Sequence, residues 1–150
     1  MKLKSNNPSA AIEATVLQLL AQREHTQYEL CQKLKQRGYA LEAVTPVLAK
    51  LAQEGWQSDA RFMALYIQLR AGKGYGPLRI TQELQQRGVA ESLISSALAA
   101  CEIDWHDYLR QIYLKKFKNH PPVDFKEKAK QIRFLQYRGF DLAQIHHIVA

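Results

Sequence analysis

Leu34-Lys35-Gln36-Arg37-Gly38-Tyr39 is repeated twice along this chain of 150 residues, at 84–89 and at 135–140. Every copy contains an Arg-Gly pair, and successive glycines are 50 and 51 residues apart. The three pairs are Arg37-Gly38, Arg87-Gly88 and Arg138-Gly139. A stretch that returns at a nearly fixed period indicates an array of structural repeats.

The repeated stretch is typical of a helix that ends at a glycine. Glycine readily adopts the left-handed conformation that stops a helix, and apolar residues on either side close a Schellman motif. Leu34 and Tyr39 are those apolar residues in the first copy, and the other copies keep apolar residues at both positions. The arginine falls in the last turn, where the helix dipole stabilises positive charge. We therefore predict an all-α protein of three tandem three-helix repeats.

The helical periodicity of apolar residues sets the expected boundaries. We predict a flexible N-terminal arm over residues 1–10. A single domain then follows, with three-helix units at 11–55, 56–103 and 104–150. A unit of this size is marginal alone, so neighbouring units must share apolar surface.

Three local signals bear on individual helices. Thr26 followed by Glu29 is a capping-box pattern that starts the second helix. Gly76-Pro77 predicts the start of the fifth helix, since proline suits the first helical position. Pro46 lies inside the third apolar stretch, so that helix is expected to start late or to bend.

The composition is that of a globular protein, with 47% hydrophobic and 23% charged residues. No apolar run approaches the roughly 20 residues that span a bilayer, and the N-terminus lacks the apolar core of a signal peptide. We therefore expect a cytoplasmic protein. Cys31 and Cys101 are expected to be buried thiols, with a disulfide or a metal site as the alternative.

The net charge of +7 is concentrated in the third unit. Residues 11–55 are neutral and residues 58–102 carry +1, whereas residues 105–150 carry nine Lys/Arg against four Asp/Glu. A local positive field of this kind attracts a polyanion or an acidic protein groove. A merely solvated face is the alternative.

The sequence offers no catalytic, metal or cofactor site. The run 72–76 has the glycines of a phosphate loop, but it lacks the Gly-Lys-Ser/Thr ending and follows a helix. The histidines are scattered, and adjacent His146 and His147 would face different ways on a helix. No nucleophile-base set occurs, so we expect a protein that is not an enzyme. Residues 91–100 contain no Lys or Arg, which argues against a DNA-reading helix there.

Basic and aromatic residues alternate in the third unit. The basic residues are Lys115, Lys116, Lys118, Lys126, Lys128, Lys130, Arg133 and Arg138, and the aromatic residues are Tyr113, Phe117, Phe134, Tyr137 and Phe140. Because Lys126, Lys128 and Lys130 fan around a helix, they do not form one stripe. Phe117 and Phe134 are expected in the core.

Four motifs together resemble the RecX family of regulatory proteins. They are Gly74-Tyr75-Gly76-Pro77-Leu78-Arg79-Ile80 with Glu83-Leu84 and Gly88, Asp59-Ala60-Arg61-Phe62, Lys115-Lys116-Phe117, and Arg133-Phe134-Leu135 with Arg138-Gly139-Phe140. The likeness covers residues 11–149. It implies an elongated, curved array of three three-helix repeats. It also implies binding in the helical groove of the RecA–single-stranded-DNA filament, which limits filament growth and depresses ATP hydrolysis and strand exchange.

On this basis we predict partner- or DNA-binding residues in the second and third units. They are Tyr75, Arg79, Lys115, Lys116, Lys118, Lys126 and Arg133. The three Arg-Gly pairs are assigned to structure first, and the chain is expected to be monomeric and without a cofactor.

Two other functions stay open. One is nonspecific DNA binding through phosphate contacts of the basic third unit. About five such contacts would give a slope near −4 to −5 in log K against log salt. The other is an inert helical scaffold for a different partner.

Overall fold

The computed structural model describes residues 8–118 and 120–149, which form nine helices and no strand. The helices are α1 (Pro8–Gln22), α2 (Gln27–Gln36), α3 (Leu41–Gln53), α4 (Asp59–Gly72), α5 (Pro77–Gln86), α6 (Glu91–Ala100), α7 (Trp105–Phe117), α8 (Phe125–Tyr137) and α9 (Leu142–Ile148). Three consecutive helices make up each repeat, so the predicted all-α, three-repeat fold is confirmed. None of the helices in these ranges is long and apolar enough to span a membrane.

The contacts divide the chain into two compact units. One unit runs as far as Met63 and includes Gln86–Ala90, and the other contains Ala64–Gln85 and Glu91–Ala150. The core of the first unit has Ile12, Val16, Leu30, Leu34, Val44 and Leu51 at its centre. The core of the second contains Leu109, Tyr113, Leu135, Phe140, Ile145 and Val149. The boundary falls inside α4, so the second repeat contributes to both units.

The Arg-Gly pairs end helices as predicted. Gly38 has φ +94°, its N–H donates to Lys35 O at 3.0 Å, and the N–H of Tyr39 donates to Leu34 O at 3.2 Å. These two bonds define a Schellman motif. Gly139, with φ +101°, makes the same pair of bonds in the third repeat, and Gly88 has the same conformation with φ +82°.

The helix starts agree with the sequence at two points and differ at two. The capping box of α2 is confirmed, since Thr26 and Glu29 each bond the other's backbone N–H at 3.1 Å. α5 begins at Pro77. α1 begins at Pro8, so residues 8–10 are helical rather than part of an arm, and the rest of that arm lies outside the described residues. α3 contains Pro46 but starts at Leu41, so a late start is wrong. Pro46 is exposed, which keeps its ring out of the core.

The Arg-Gly pair of the second repeat packs on the first turn of α2, a contact that we call the first joint. Thr26 Oγ1 donates to Arg87 O at 2.9 Å, and Arg87 Nε lies 3.6 Å from Glu29 Oε2. The backbone of Gly88 approaches Tyr28 so closely that an added Cβ would overlap the Tyr28 Cβ. The glycine is therefore needed for contact as well as for conformation.

The Arg-Gly pair of the third repeat packs on the first turn of α5 in the same manner, which we call the second joint. The N–H of Gly76 donates to Arg138 O at 2.7 Å, and the N–H of Leu78 donates to Gly139 O at 3.0 Å. A Cβ at Gly139 would overlap the Arg79 Cβ, and a Cβ at Gly76 would lie 2.5 Å from Gly139 O. The repeated stretch thus ends one helix and contacts the start of another.

Candidate partner-binding site

Tyr75 is positioned by a glycine turn at the end of α4. Gly74 has φ +93°, its N–H donates to Ala71 O at 3.0 Å, and the N–H of Tyr75 donates to Arg70 O at 3.1 Å. This is the same Schellman pattern as at the Arg-Gly pairs. It brings the Tyr75 ring next to the Arg70 side chain, where an apolar contact is usual.

Three guanidinium groups surround the Tyr75 ring, and we call this group the Tyr75 cluster. The guanidinium carbons of Arg70, Arg79 and Arg138 lie 4.2, 4.4 and 5.0 Å from the ring centroid. Arg79 also lies 4.9 Å from the ring of Tyr137, which is 72% exposed. Each such cation–π contact contributes about 0.5–2 kcal/mol, depending on how well water is excluded. The cluster therefore holds three positive charges in fixed places near the surface.

Glu83 keeps two of these arginines in place. Its Oε1 accepts from Tyr66 Oη and Arg70 Nε, both at 2.9 Å, and its Oε2 accepts from Arg70 Nη2 at 2.9 Å and Arg79 Nε at 3.2 Å. Burial alone would raise the pKa of Glu83, but the hydrogen bonds from Arg70, Tyr66 and Arg79 outweigh it and hold the pKa below its usual value. Three arginines against one carboxylate leave the cluster positive.

Replacing Glu83 by glutamine should destabilise the protein by about 1.5–3 kcal/mol at neutral pH, because charge-assisted hydrogen bonds are lost. The lowered pKa of Glu83 means that the folded state binds its proton less readily than the unfolded state. Its stabilisation is therefore present above the unfolded pKa and is lost as pH falls through the folded pKa. Urea unfolding at pH 7 and at pH 3 checks this result. The difference in free energy of unfolding between wild type and Glu83→Gln should be smaller at pH 3 than at pH 7. A difference that does not change with pH would contradict this prediction.

An open cavity of about 640 Å³ adjoins the Tyr75 cluster, and we call it the basic pocket. It is lined by Ala71, Gly72, Lys73, Gly74, Tyr108, Gln111, Ile112, Lys115, Lys116, Phe134 and Arg138. Four of these residues are cationic and none is acidic. Lys116 Nζ and the Arg138 guanidinium lie 5.0 and 5.2 Å from the Phe134 ring, and Arg138 Nη1 donates to Lys73 O at 3.1 Å. The pocket combines positive charge with aromatic surface, which suits carboxylates or phosphates.

The structure brings together four of the seven predicted binding residues. Tyr75 and Arg79 belong to the Tyr75 cluster, and Lys115 and Lys116 line the basic pocket. Arg138 belongs to both and so connects the cluster with the pocket. All four therefore belong to one continuous surface of the second unit.

The other three predicted residues lie elsewhere. Lys118 is exposed and ends α7 in a left-handed conformation, with φ 54°. Arg133 lines a separate cavity of about 550 Å³ beside Val123 and Phe125. Lys126 is exposed on α8 and lines neither cavity. None of these three residues lines the basic pocket, and their binding roles stay predictions.

Sequence reasoning did not assign Arg70, Lys73 and Arg138 to the site. Arg138 was assigned to the end of its helix, yet its side chain reaches across to Tyr75. Arg70 gave one signal, since it is the residue that a Schellman turn at Gly74 brings next to Tyr75. Within residues 8–118 and 120–149, no three His, Cys, Asp or Glu side chains are placed to hold a metal ion.

Comparisons with known proteins match the chain along its length. The family models for the first, second and third three-helix domains of RecX match residues 14–51, 58–98 and 102–149. Regulatory protein RecX of Pseudomonas putida (strain GB-1) is 44% identical over 140 residues, covering 93% of this chain and 90% of that protein. Its counterpart in Pseudomonas tolaasii is 43% identical over the same length.

Two solved structures have the same fold. The crystal structure of RecX from Lactobacillus salivarius has a TM-score of 0.82 at 16% identity, covering 97% of this chain and 96% of that one. A second crystal structure, of regulatory protein RecX, has a TM-score of 0.79 at 26% identity. The alignment covers 93% of this chain and 70% of that one.

Proposed function

This chain belongs to the RecX family of regulatory proteins, and from that premise we propose that it restrains RecA by binding the RecA–single-stranded-DNA filament in the cytoplasm. Binding in the helical groove of the filament would limit its growth and depress ATP hydrolysis and strand exchange. The protein would act as a binding partner rather than as an enzyme, in keeping with the regulatory role that its relatives' names state.

The observation that supports this proposal is the joining of the Tyr75 cluster to the basic pocket. Tyr75 contacts Arg70, Arg79 and Arg138, and Glu83 also bonds the first two. Lys115 and Lys116 extend the positive surface along α7. Fixed guanidinium groups suit the planar, bidentate recognition of carboxylates and phosphates. An acidic face of a protein filament, or the DNA backbone within it, offers those groups.

ATP hydrolysis by RecA on single-stranded DNA tests this function. We expect the protein to lower the hydrolysis rate when fewer than one copy per RecA subunit is added. Adding it before or after filament assembly separates an effect on growth from an effect on filaments already formed. An unchanged rate at equimolar protein would reject the proposal.

The basic pocket also favours the second candidate, nonspecific binding to DNA. Its four cations suit phosphates, and Tyr108 offers a ring on which a base can stack. Four phosphate contacts to a single strand would give a slope of about −3 in log K against log salt. Fluorescence anisotropy with labelled single-stranded DNA, bare or coated with RecA, distinguishes the two functions. Tighter binding to the coated strand favours the filament, and tighter binding to bare DNA favours the alternative.

A further inference from the structure

The first turn of the middle helix is a docking surface in two of the three repeats. In the first joint, the Arg87-Gly88 pair covers the start of α2, and in the second joint, the Arg138-Gly139 pair covers the start of α5. In both joints the glycine backbone packs against the first turn of the helix. The carbonyl oxygen of the arginine accepts a hydrogen bond from a donor at the N-terminus of that helix. The structure therefore uses one type of contact twice.

The start of α8 is the equivalent surface in the third repeat, and no Arg-Gly pair covers it within residues 8–118 and 120–149. The side chains of Val123 and Phe125, on either side of the helix N-cap, are 89% and 88% exposed. Asp124 caps the helix by accepting from the N–H of Glu127 at 2.8 Å. Glu127 thus has the helix position that Glu29 has in α2, where Glu29 pairs with Arg87.

The loop before α8 is held in place, so this surface is preformed. The carbonyl oxygen of His120 accepts from Gln131 Nε2 at 3.3 Å. Gln131 is buried, and its Oε1 also accepts from Tyr113 Oη at 2.9 Å. Bulky apolar side chains that are almost fully exposed on an anchored loop are typical of an interaction surface.

The other half of a joint, an Arg-Gly pair, is exposed in the first repeat. The Arg37-Gly38 pair of the first repeat has the backbone conformation of the other two pairs. A Cβ added to Gly38 would meet no atom within 4 Å, and Arg37 is exposed. Among the described residues, one molecule therefore presents an Arg-Gly pair and a helix start that take part in no joint.

We propose that copies of this protein associate head to tail, with the Arg37-Gly38 pair of one copy covering the start of α8 in the next. Arg37 pairs with Glu127 of the next copy, as Arg87 pairs with Glu29 in the first joint. Because the two faces differ, the contact is heterologous and can continue from copy to copy.

The contact is small, so association is weak between free molecules and strong on a filament. One Arg-Gly pair on one helical turn buries far less surface than a stable dimer interface. Molecules bound side by side on a filament have effective concentrations of the order of millimolar, which favours a weak contact. This part of the inference depends on the proposed function, whereas the contact between free copies does not.

Site-directed cross-linking tests the contact. Two proteins are made in a Cys31→Ala/Cys101→Ala background, one with Gln36→Cys beside the Arg-Gly pair and one with Lys126→Cys at the start of α8. A short bismaleimide is applied at high protein concentration and again on RecA filaments. We expect the mixed pair to cross-link at least tenfold more than either protein alone, most strongly on filaments.

A charge exchange identifies the residues of the contact. Arg37→Glu or Glu127→Arg should each lower the mixed yield about tenfold, and a pair carrying both changes should recover it. Lys130→Glu is the control on the same helix, and thermal melts confirm that each variant folds. Equal yields in mixed and unmixed samples, both free and on filaments, would overturn the inference. If RecA ATPase still falls in that case, the proposed function stands without head-to-tail association.

Discussion

Gly139→Ala is expected to destabilise the protein by about 3 kcal/mol, because the substitution adds a close contact to an unfavourable backbone conformation. A left-handed φ alone costs a residue with a Cβ about 1–2 kcal/mol. At Gly139 the new Cβ would also overlap Arg79 and lie 2.7 Å from its backbone nitrogen, which cannot move independently of α5. Chemical denaturation monitored by circular dichroism measures the loss.

Two matched variants separate these causes. Gly38 has the left-handed φ, but a Cβ added there would meet no atom within 4 Å. Gly38→Ala should therefore lower the free energy of unfolding by only about 1–2 kcal/mol. Gly76→Ala has no left-handed φ but would place a Cβ 2.5 Å from Gly139 O, so it should cost about 1–3 kcal/mol through the contact alone. Equal losses for Gly38→Ala and Gly139→Ala would mean that the second joint contributes nothing.

Lys115→Glu/Lys116→Glu is expected to weaken inhibition of RecA about tenfold or more, which corresponds to about 1.4 kcal/mol of binding free energy. The two lysines lie at the edge of the basic pocket, and reversing their charges makes the edge repel an acidic partner. The concentration that halves RecA ATPase activity is the measurement. Thermal stability should change little, since Lys115 and Lys116 are both exposed.

Lys128→Glu/Lys130→Glu is the matched control for this charge reversal, since neither residue is among the predicted binding residues. It changes the net charge by the same amount and lies in the same unit, but neither residue lines the basic pocket. Inhibition should change by less than about threefold, as expected for screened charges away from an interface. Equal losses for the two double variants would show that overall charge, not the pocket, determines binding.

The helix ends were predictable from sequence because they depend on neighbouring residues. The Schellman bonds at Gly38 and the capping box at Thr26 involve residues no more than five positions apart, and local patterns determine them. The start at Pro8 was missed because polar residues before it suggested an arm, although proline suits a first helical turn.

The joints and much of the candidate site were not predictable in this way. The bond from Thr26 to Arg87 spans 61 residues, and spacing alone does not show which repeat surface meets which. The same holds for Arg138, whose role at Tyr75 depends on the second joint. Lys115 and Lys116 were predicted because excess charge in one segment is visible in sequence. Arg70 gave only the weaker signal of a Schellman turn at Gly74.

The packing around Tyr75 has a consequence for the thermodynamics of binding. A free arginine or lysine side chain loses rotamer entropy, up to about 2 kcal/mol, when a partner immobilises it. Arg70 and Arg79 are already ordered by Tyr75 and Glu83, so most of that entropy is lost when the protein folds. Lys115 is exposed on α7 and keeps more of its freedom until a partner arrives. Calorimetry should therefore find a less unfavourable binding entropy for contacts made by the arginines than for contacts made by Lys115.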